Sequence, residues 1–164
     1  MNVLKARGLV IGEDVAILED VFLDGSHCWH ISIGDHVTLA PRVMILAHDA
    51  STKRHLDLTK VGKVEIGDRV FVGAGTIIMP GVRIGHDAII GAGSVVTSEI
   101  PPATVAAGNP AKVIMGLDEF LARRRDQIAA APRFEARFGD PSGLSADEKR
   151  SMNAQMTDGI GYLP

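Results

Sequence analysis

Among the side chains able to do chemistry, the histidines stand out by position. His48 opens the segment "HDASTKRHLDLTKVGKVE", where an otherwise regular sequence loses its rhythm. An imidazole, with an unperturbed pKa near ~6.5, both accepts and returns a proton at neutral pH, so a histidine at such a break is a candidate general base. The other five are His27, His30, His36, His55 and His86. His36 and His86 fall in "IGDHVT" and "IGHDAI", at repeat positions expected to face solvent. His55 lies within the irregular segment. His27 stands beside an expected corner, either lining a cleft or sitting on the surface. Cys28 follows it, so a nucleophilic thiol beside a base is conceivable, although a small apolar filler is the preferred reading of the residue.

These residues must be held by something, and the surrounding sequence states what. From Ile11 it reads IGEDVA, ILEDVF, LDGSHC; from Ile33, IGDHVT, LAPRVM, ILAHDA; from Ile66, IGDRVF, VGAGTI, IMPGVR, IGHDAI, IGAGSV, VTSEIP. Each first position is Ile, Leu or Val, the second is usually small, and the fifth is mostly Val, Thr, Ala or Ser. A period of six fits neither the 3.6 of a helix nor the alternation of an amphipathic strand. It predicts an all-β solenoid of short strands, one per hexad and three per coil, with first-position aliphatics stacked in the core and small fifth-position residues at the corners. Twelve hexads give about four coils, each rising roughly 4.8 Å.

The rhythm slips twice, at "WHIS" from Trp29 and over residues 51–65. A solenoid absorbs extra residues as a loop at one corner, and loops on rigid scaffolds are where function concentrates. His48 therefore sits at a loop root. The predicted organisation is a coil over residues 1–115 with a loop protruding at 51–65, then a helical extension over 116–164. In the extension, "LDEFLARRRDQIAA" has helical spacing and ends before Pro132, and Ser145 with Glu148 forms a capping-box pattern.

Composition narrows the class. The 164 residues are 46% hydrophobic but only 4% aromatic, which calls for an aliphatic interior. A net charge of −3 argues against nucleic acid as a partner. One cysteine excludes an internal disulfide and suits a reducing compartment. No run of eighteen apolar residues and no signal-peptide pattern is present, so a cytoplasmic protein without a membrane span is expected.

The hexads, together with "HDAS", "VFVGAGTIIMPGVRIG", "IIGAGSVVTSEIP" and "AAGNPAKVI", resemble the hexapeptide-repeat acyltransferases, most closely the galactoside, maltose and capsular-sugar O-acetyltransferases. The resemblance covers about residues 10–115. It implies a left-handed parallel β-helix, a homotrimer, and acetyl transfer from acetyl-CoA to a hydroxyl of a sugar or sugar-containing acceptor such as a nucleotide sugar, with no metal. The left hand comes from the resemblance alone, because parallel crossovers are overwhelmingly right-handed. His48 matches the family's loop-root histidine, the general base of a direct transfer. Asp24 falls where relatives bind the acceptor, or it simply makes a turn. Asp49 either orients His48 or caps the loop. Trp29, the sole tryptophan, is a stacking face for a sugar or a plug at the coil edge. Gly73, Ala74, Gly91 and Ala92 match the positions whose backbone meets the CoA arm. An amide near Ala74 would stabilise a developing oxyanion. In the GNPAKVI segment, Asn109, Pro110 and Lys112 fall at the CoA end, with Lys112 matching a phosphate-contacting basic residue. Ser98 stands where the family often carries a lysine, which puts one phosphate contact in doubt.

Transfer to an amino sugar is the alternative within this class. The same fold also hosts γ-type carbonic anhydrases, whose zinc needs three imidazoles, two of them closely spaced near the later coils. After His55 only His86 remains, which argues against that site. A non-catalytic scaffold is the third possibility, opposed by the loop-root histidine and the GNPAKVI segment.

Overall fold

A computed structural model describes residues 1–164, with the side chain of residue 141 outside the description. It divides into two units, residues 1–118 and 119–164.

In the first unit each hexad becomes a two- or three-residue strand followed by a turn, and successive strands join three sheets in rotation. The first face stacks Val10–Ile11, Ile31–Ile33, Val64–Ile66 and Arg83–Ile84. The second stacks Ala16–Ile17, Thr38–Leu39, Phe71–Val72 and Ile89–Ile90; the third stacks Phe22–Leu23, Met44–Ile45, Ile77–Ile78 and Val95–Val96. Neighbouring strands in these stacks run parallel, giving four coils.

The register explains the period. Ile11, Ile33, Ile66 and Ile84 align rung on rung, as do Ile17, Leu39, Val72 and Ile90, and Leu23, Ile45, Ile78 and Val96. These columns fill the core. Each fully buried aliphatic contributes roughly 1.5–3 kcal/mol, so a shift of one residue, which would turn a column outward, is strongly disfavoured. The fifth positions also point inward rather than merely lining corners: Val37, Val43, Val70 and Val82 are buried with Thr76 and Ser94. Inward volume beside each first-position aliphatic is thus filled by small or β-branched residues.

The turns need backbone conformations that follow the same columns. Asp20, Arg42, Gly75 and Gly93 share a positive-φ slot after the second face, while Asp14, His36, Arg69, Asp87 and Ala103 share one after the first. Both open ends of the coil are covered, as unpaired strand edges require. Below, helix Asn2–Ala6 lays Leu4 against the core. Above, Thr104–Gly108 continues the second face and pairs antiparallel with Ala111–Gly116 across the turn at Asn109 and Pro110. That hairpin and the N-terminal helix carry no hexad and were not anticipated from the repeat.

The second unit contains the rest of helix Leu117–Ala130 and the helix Ala146–Gln155. The expected capping box is formed: the Ser145 hydroxyl accepts from the Glu148 N–H, and the Ser145 N–H donates to the Glu148 carboxylate. Among the described residues, no helix is long and apolar enough to cross a membrane.

Candidate active site

The two slips in the rhythm leave the coil at the same edge, between the third face and the first, on adjacent coils. The first insertion follows Leu23 and the second follows Ile45, and these residues are direct neighbours in the third face. Asp24 keeps its place in the ladder by donating its N–H to the Ile45 carbonyl (3.0 Å). Its side chain turns inward and is only 1% exposed. The loop returns at Gly62, whose N–H donates to the Ala47 carbonyl (3.0 Å), and its neck is an antiparallel pairing of His48 with Val61 and Asp49 with Lys60.

Asp24 is the centre of this edge. Its Oδ1 accepts from the Ser26 N–H (3.2 Å) and the Ser26 hydroxyl (2.7 Å). Its Oδ2 accepts from the Ala47 N–H (3.1 Å) and from His48 Nδ1. Burial by itself would raise the Asp24 pKa; the hydrogen bonds from Ser26, His48 and Ala47 outweigh it and bring the carboxyl down to about 2. An ionised carboxylate can only accept, so it holds the His48 proton on Nδ1 and leaves Nε2 as the nitrogen with a free lone pair. The His48 side chain is 36% exposed, open to a substrate on one side and anchored on the other.

The remaining expected acceptor residues divide. Trp29 is no plug: it is 53% exposed. It packs beside His27 (ring centroids 5.3 Å apart) and His30 (5.5 Å), and His27 in turn lies 4.6 Å from the His48 ring. Asp49 turns away, accepting the Ser51 N–H (2.8 Å) and capping the loop, and that bond holds its carboxyl below the usual range. The carboxylate that orients His48 is Asp24. Ser26 was missed and His27 left open by sequence reasoning. The signal was available, since both slips fall after the third hexad of a coil and so must share one edge. Cys28 is fully buried, its thiol directed at the Leu4 and Arg7 carbonyls (3.7 and 3.8 Å), with no access for a substrate.

Asp24, His27 and His48 also place one carboxylate oxygen and two imidazole nitrogens within 4.8 Å of one another, a donor set suited to a divalent metal. The hydrogen bonds already made to Asp24 satisfy its charge without one.

The expected CoA residues gather on a different edge, between the second face and the third. Gly73, Gly91 and Ala107 stack there: a Cβ on Gly73 would lie 2.5 Å from Ala92 N, and one on Gly91 would lie 2.8 Å from the Ala107 Cβ. Only glycine permits this approach. Ala74 and Ala92 occupy the next slot, which one coil earlier holds Pro41, a residue with no N–H; the ladder therefore does not use the donor of that slot. At Gly91 the carbonyl is drawn inward by the buried Ser94 hydroxyl (2.5 Å) and Thr76 hydroxyl (3.2 Å). Because a trans peptide sets C=O and N–H in opposite directions, the Ala92 N–H faces outward. Lys112 is exposed and lies opposite Ala107 in the hairpin, next to this edge, with Asn109 and Pro110 at the turn.

Comparison with known proteins identifies the relatives of this chain. Residues 63–98 match the family model "Bacterial transferase hexapeptide (six repeats)". The galactoside O-acetyltransferase of Escherichia coli is 40% identical over 123 residues, covering 72% of this chain and 56% of the relative. A maltose O-acetyltransferase structure from Clostridium difficile superposes with a TM-score of 0.58 at 32% identity, over 71% of this chain and 73% of its own. A galactoside acetyltransferase solved in complex with coenzyme A gives a TM-score of 0.60 at 31% identity, over 76% and 70%. The chain belongs to the hexapeptide-repeat acetyltransferase family, in the galactoside and maltose O-acetyltransferase branch. It spans about half the length of the curated relatives it matches.

Proposed function

We propose that this chain is an acetyl-CoA-dependent O-acetyltransferase acting on a sugar hydroxyl, with His48 as general base and direct transfer between the two substrates. The observation that carries the reading is the Asp24–His48 pair on the edge where both insertions leave the coil. Asp24 fixes the tautomer. His48 Nε2 takes the proton of the acceptor hydroxyl as its oxygen bonds to the acetyl carbonyl carbon. An outward amide at Ala74 or Ala92 receives the developing oxyanion. As the carbon–sulfur bond breaks, the His48 imidazolium returns its proton to the departing sulfur, and the acetyl ester and free thiol leave. No acyl-enzyme is involved.

Trp29 supplies an apolar face for the acceptor, Gly73, Ala74, Gly91 and Ala92 the wall for the pantetheine arm, and Lys112 a point charge for phosphate. The proposed assembly is a homotrimer of left-handed coils. Two features support it. The base and the CoA wall lie on different edges of one chain, so a neighbour is needed to bring them together. The faces also differ in polarity: the outer row of the third is apolar (Phe22, Met44, Ile77, Val95), whereas that of the first carries Ser32 and the ion pair of Glu65 with Arg83 (2.9 Å). A cytoplasmic setting, where acetyl-CoA is supplied, completes the proposal.

The test is thiol release from acetyl-CoA across a panel of sugar acceptors, with wild type and His48→Ala. Wild type should turn over, and the variant should fold normally and lose roughly 10²- to 10⁴-fold in rate. Near-wild-type turnover by His48→Ala would remove the base assignment.

A further inference from the structure

Beside the proposed catalytic edge, the first face holds a cleft of about 200 Å³ lined by Val10, Trp29, His30, Ile31, Ser32, Lys63 and Glu65. Its composition is that of a sugar subsite. Trp29 provides a flat, half-exposed aromatic wall, with the His30 ring 5.5 Å away and tilted against it. Ser32, Lys63 and Glu65 surround it with hydroxyl, ammonium and carboxylate groups able to meet several hydroxyls at once. Glu65 is held in place by Arg83 (2.9 Å), while Lys63 joins no ion pair among the described residues and keeps its donors free. The cleft also lies near the proposed base. The His27 ring lies 4.6 Å from that of His48 and 5.3 Å from that of Trp29, which puts the wall of the cleft two rings from the proposed base. A monosaccharide placed at His48 would leave this cleft empty. A chain of two or more sugars would fill it.

We propose that the Trp29 cleft binds the sugar unit adjoining the one that is acetylated, so that the acceptor is an oligosaccharide or glycan chain rather than a free monosaccharide. This rests on the reading of His48 as the base, but the binding it asserts is measurable without turnover. Trp29 is the only tryptophan in the chain, so tryptophan fluorescence reports on the surroundings of this one residue.

The experiment has two arms. In the first, the protein is applied to an array of defined mono- to octasaccharides covering neutral, amino and acidic glycans, and the strongest binders are titrated while Trp29 emission is followed. Oligosaccharides should bind in preference to monosaccharides, with a saturable change in emission. Lys63→Ala should weaken that binding by about tenfold, and His48→Ala should retain it. No binding to any glycan, equal binding of monosaccharides, an unchanged Trp29 signal or an unaffected Lys63→Ala variant each overturns the proposal. In the second arm, acetylation of the same glycans is followed by thiol release. Glycan binding without any transfer would refute the acetyltransferase reading and leave the cleft assignment standing. Turnover with no chain-length preference would refute the cleft assignment and leave the acetyltransferase reading standing.

Discussion

At position 48 an imidazole serves acyl transfer only if one nitrogen keeps a lone pair, and the buried Asp24 secures this by accepting the proton on the other. Asp24→Asn would present an amide that can donate to Nδ1 and favour the wrong tautomer. It should fold and lose roughly 10²- to 10⁴-fold in kcat, with the KM for acetyl-CoA little changed. The same carboxylate links stability to pH. Its folded pKa, about 2, lies below the ordinary aspartate value of ~3.9, so its contribution is present above pH ~4 and is lost as pH falls towards 2. Wild type should therefore lose more thermal stability than Asp24→Asn between pH 5 and pH 2; parallel curves would show that Asp24 is not the responsible group. Lys112→Ala, on the exposed side of the hairpin, should raise the KM for acetyl-CoA several-fold and leave kcat nearly intact, since a point charge on a phosphate binds ground state and transition state alike.

Elements here are too short to stand alone. A two-residue strand gains its stability from the rungs above and below, so the coil depends on close contact at its edges. Gly73→Val tests this directly. A Cβ at that position meets the backbone of Ala92 at 2.5 Å and the Ile90 carbonyl at 2.8 Å, neither of which can rotate away. The substitution should cost about 1–3 kcal/mol or more and lower the melting temperature by several degrees, with loss of acetyl-CoA binding. Gly75→Ala makes a useful contrast: a Cβ there meets nothing, and its cost comes from a φ of 69° alone. The protruding loop behaves differently from the coil. Its ends are tied by the bond from Gly62 N–H to the Ala47 carbonyl and by the His48–Val61 pairing, which explains how so long an insertion leaves the register of the following coil undisturbed.

For the molecule as a whole, the proposed base and the proposed CoA wall lie on two edges, which makes assembly the decisive variable for that proposal. If a neighbour's wall completes each site, co-expression of His48→Ala chains with Ala92→Trp chains should restore part of the activity, because some interfaces in mixed trimers join two intact halves. A fully active monomer by light scattering, or confirmed mixed trimers without complementation, would place each site within one chain.

The boundary between what was legible in the sequence and what was not follows from the range of the interactions. Hexads state their own conformation: Ile33 and Ile66 point inward because the period of six repeats the same turn, and every rung repeats the information. The capping box at Ser145 is equally local. His48 was visible because it interrupts the pattern, and a residue that breaks a period is conspicuous by itself. Its partner was not visible. Asp24 and His48 are 24 residues apart, and nothing local distinguishes a turn aspartate from a buried carboxylate that fixes a tautomer. Their meeting depends on the two insertions leaving at one edge of adjacent coils, with Leu23 in register with Ile45. The same stacking sends Asp49, adjacent to His48 in sequence, to cap Ser51, and buries the Cys28 thiol beneath the N-terminal helix. The sequence alone determined the coil, its rungs and the place of the break. Only the tertiary structure decided which side chains share that edge, because register between coils is a long-range property that no single hexad encodes.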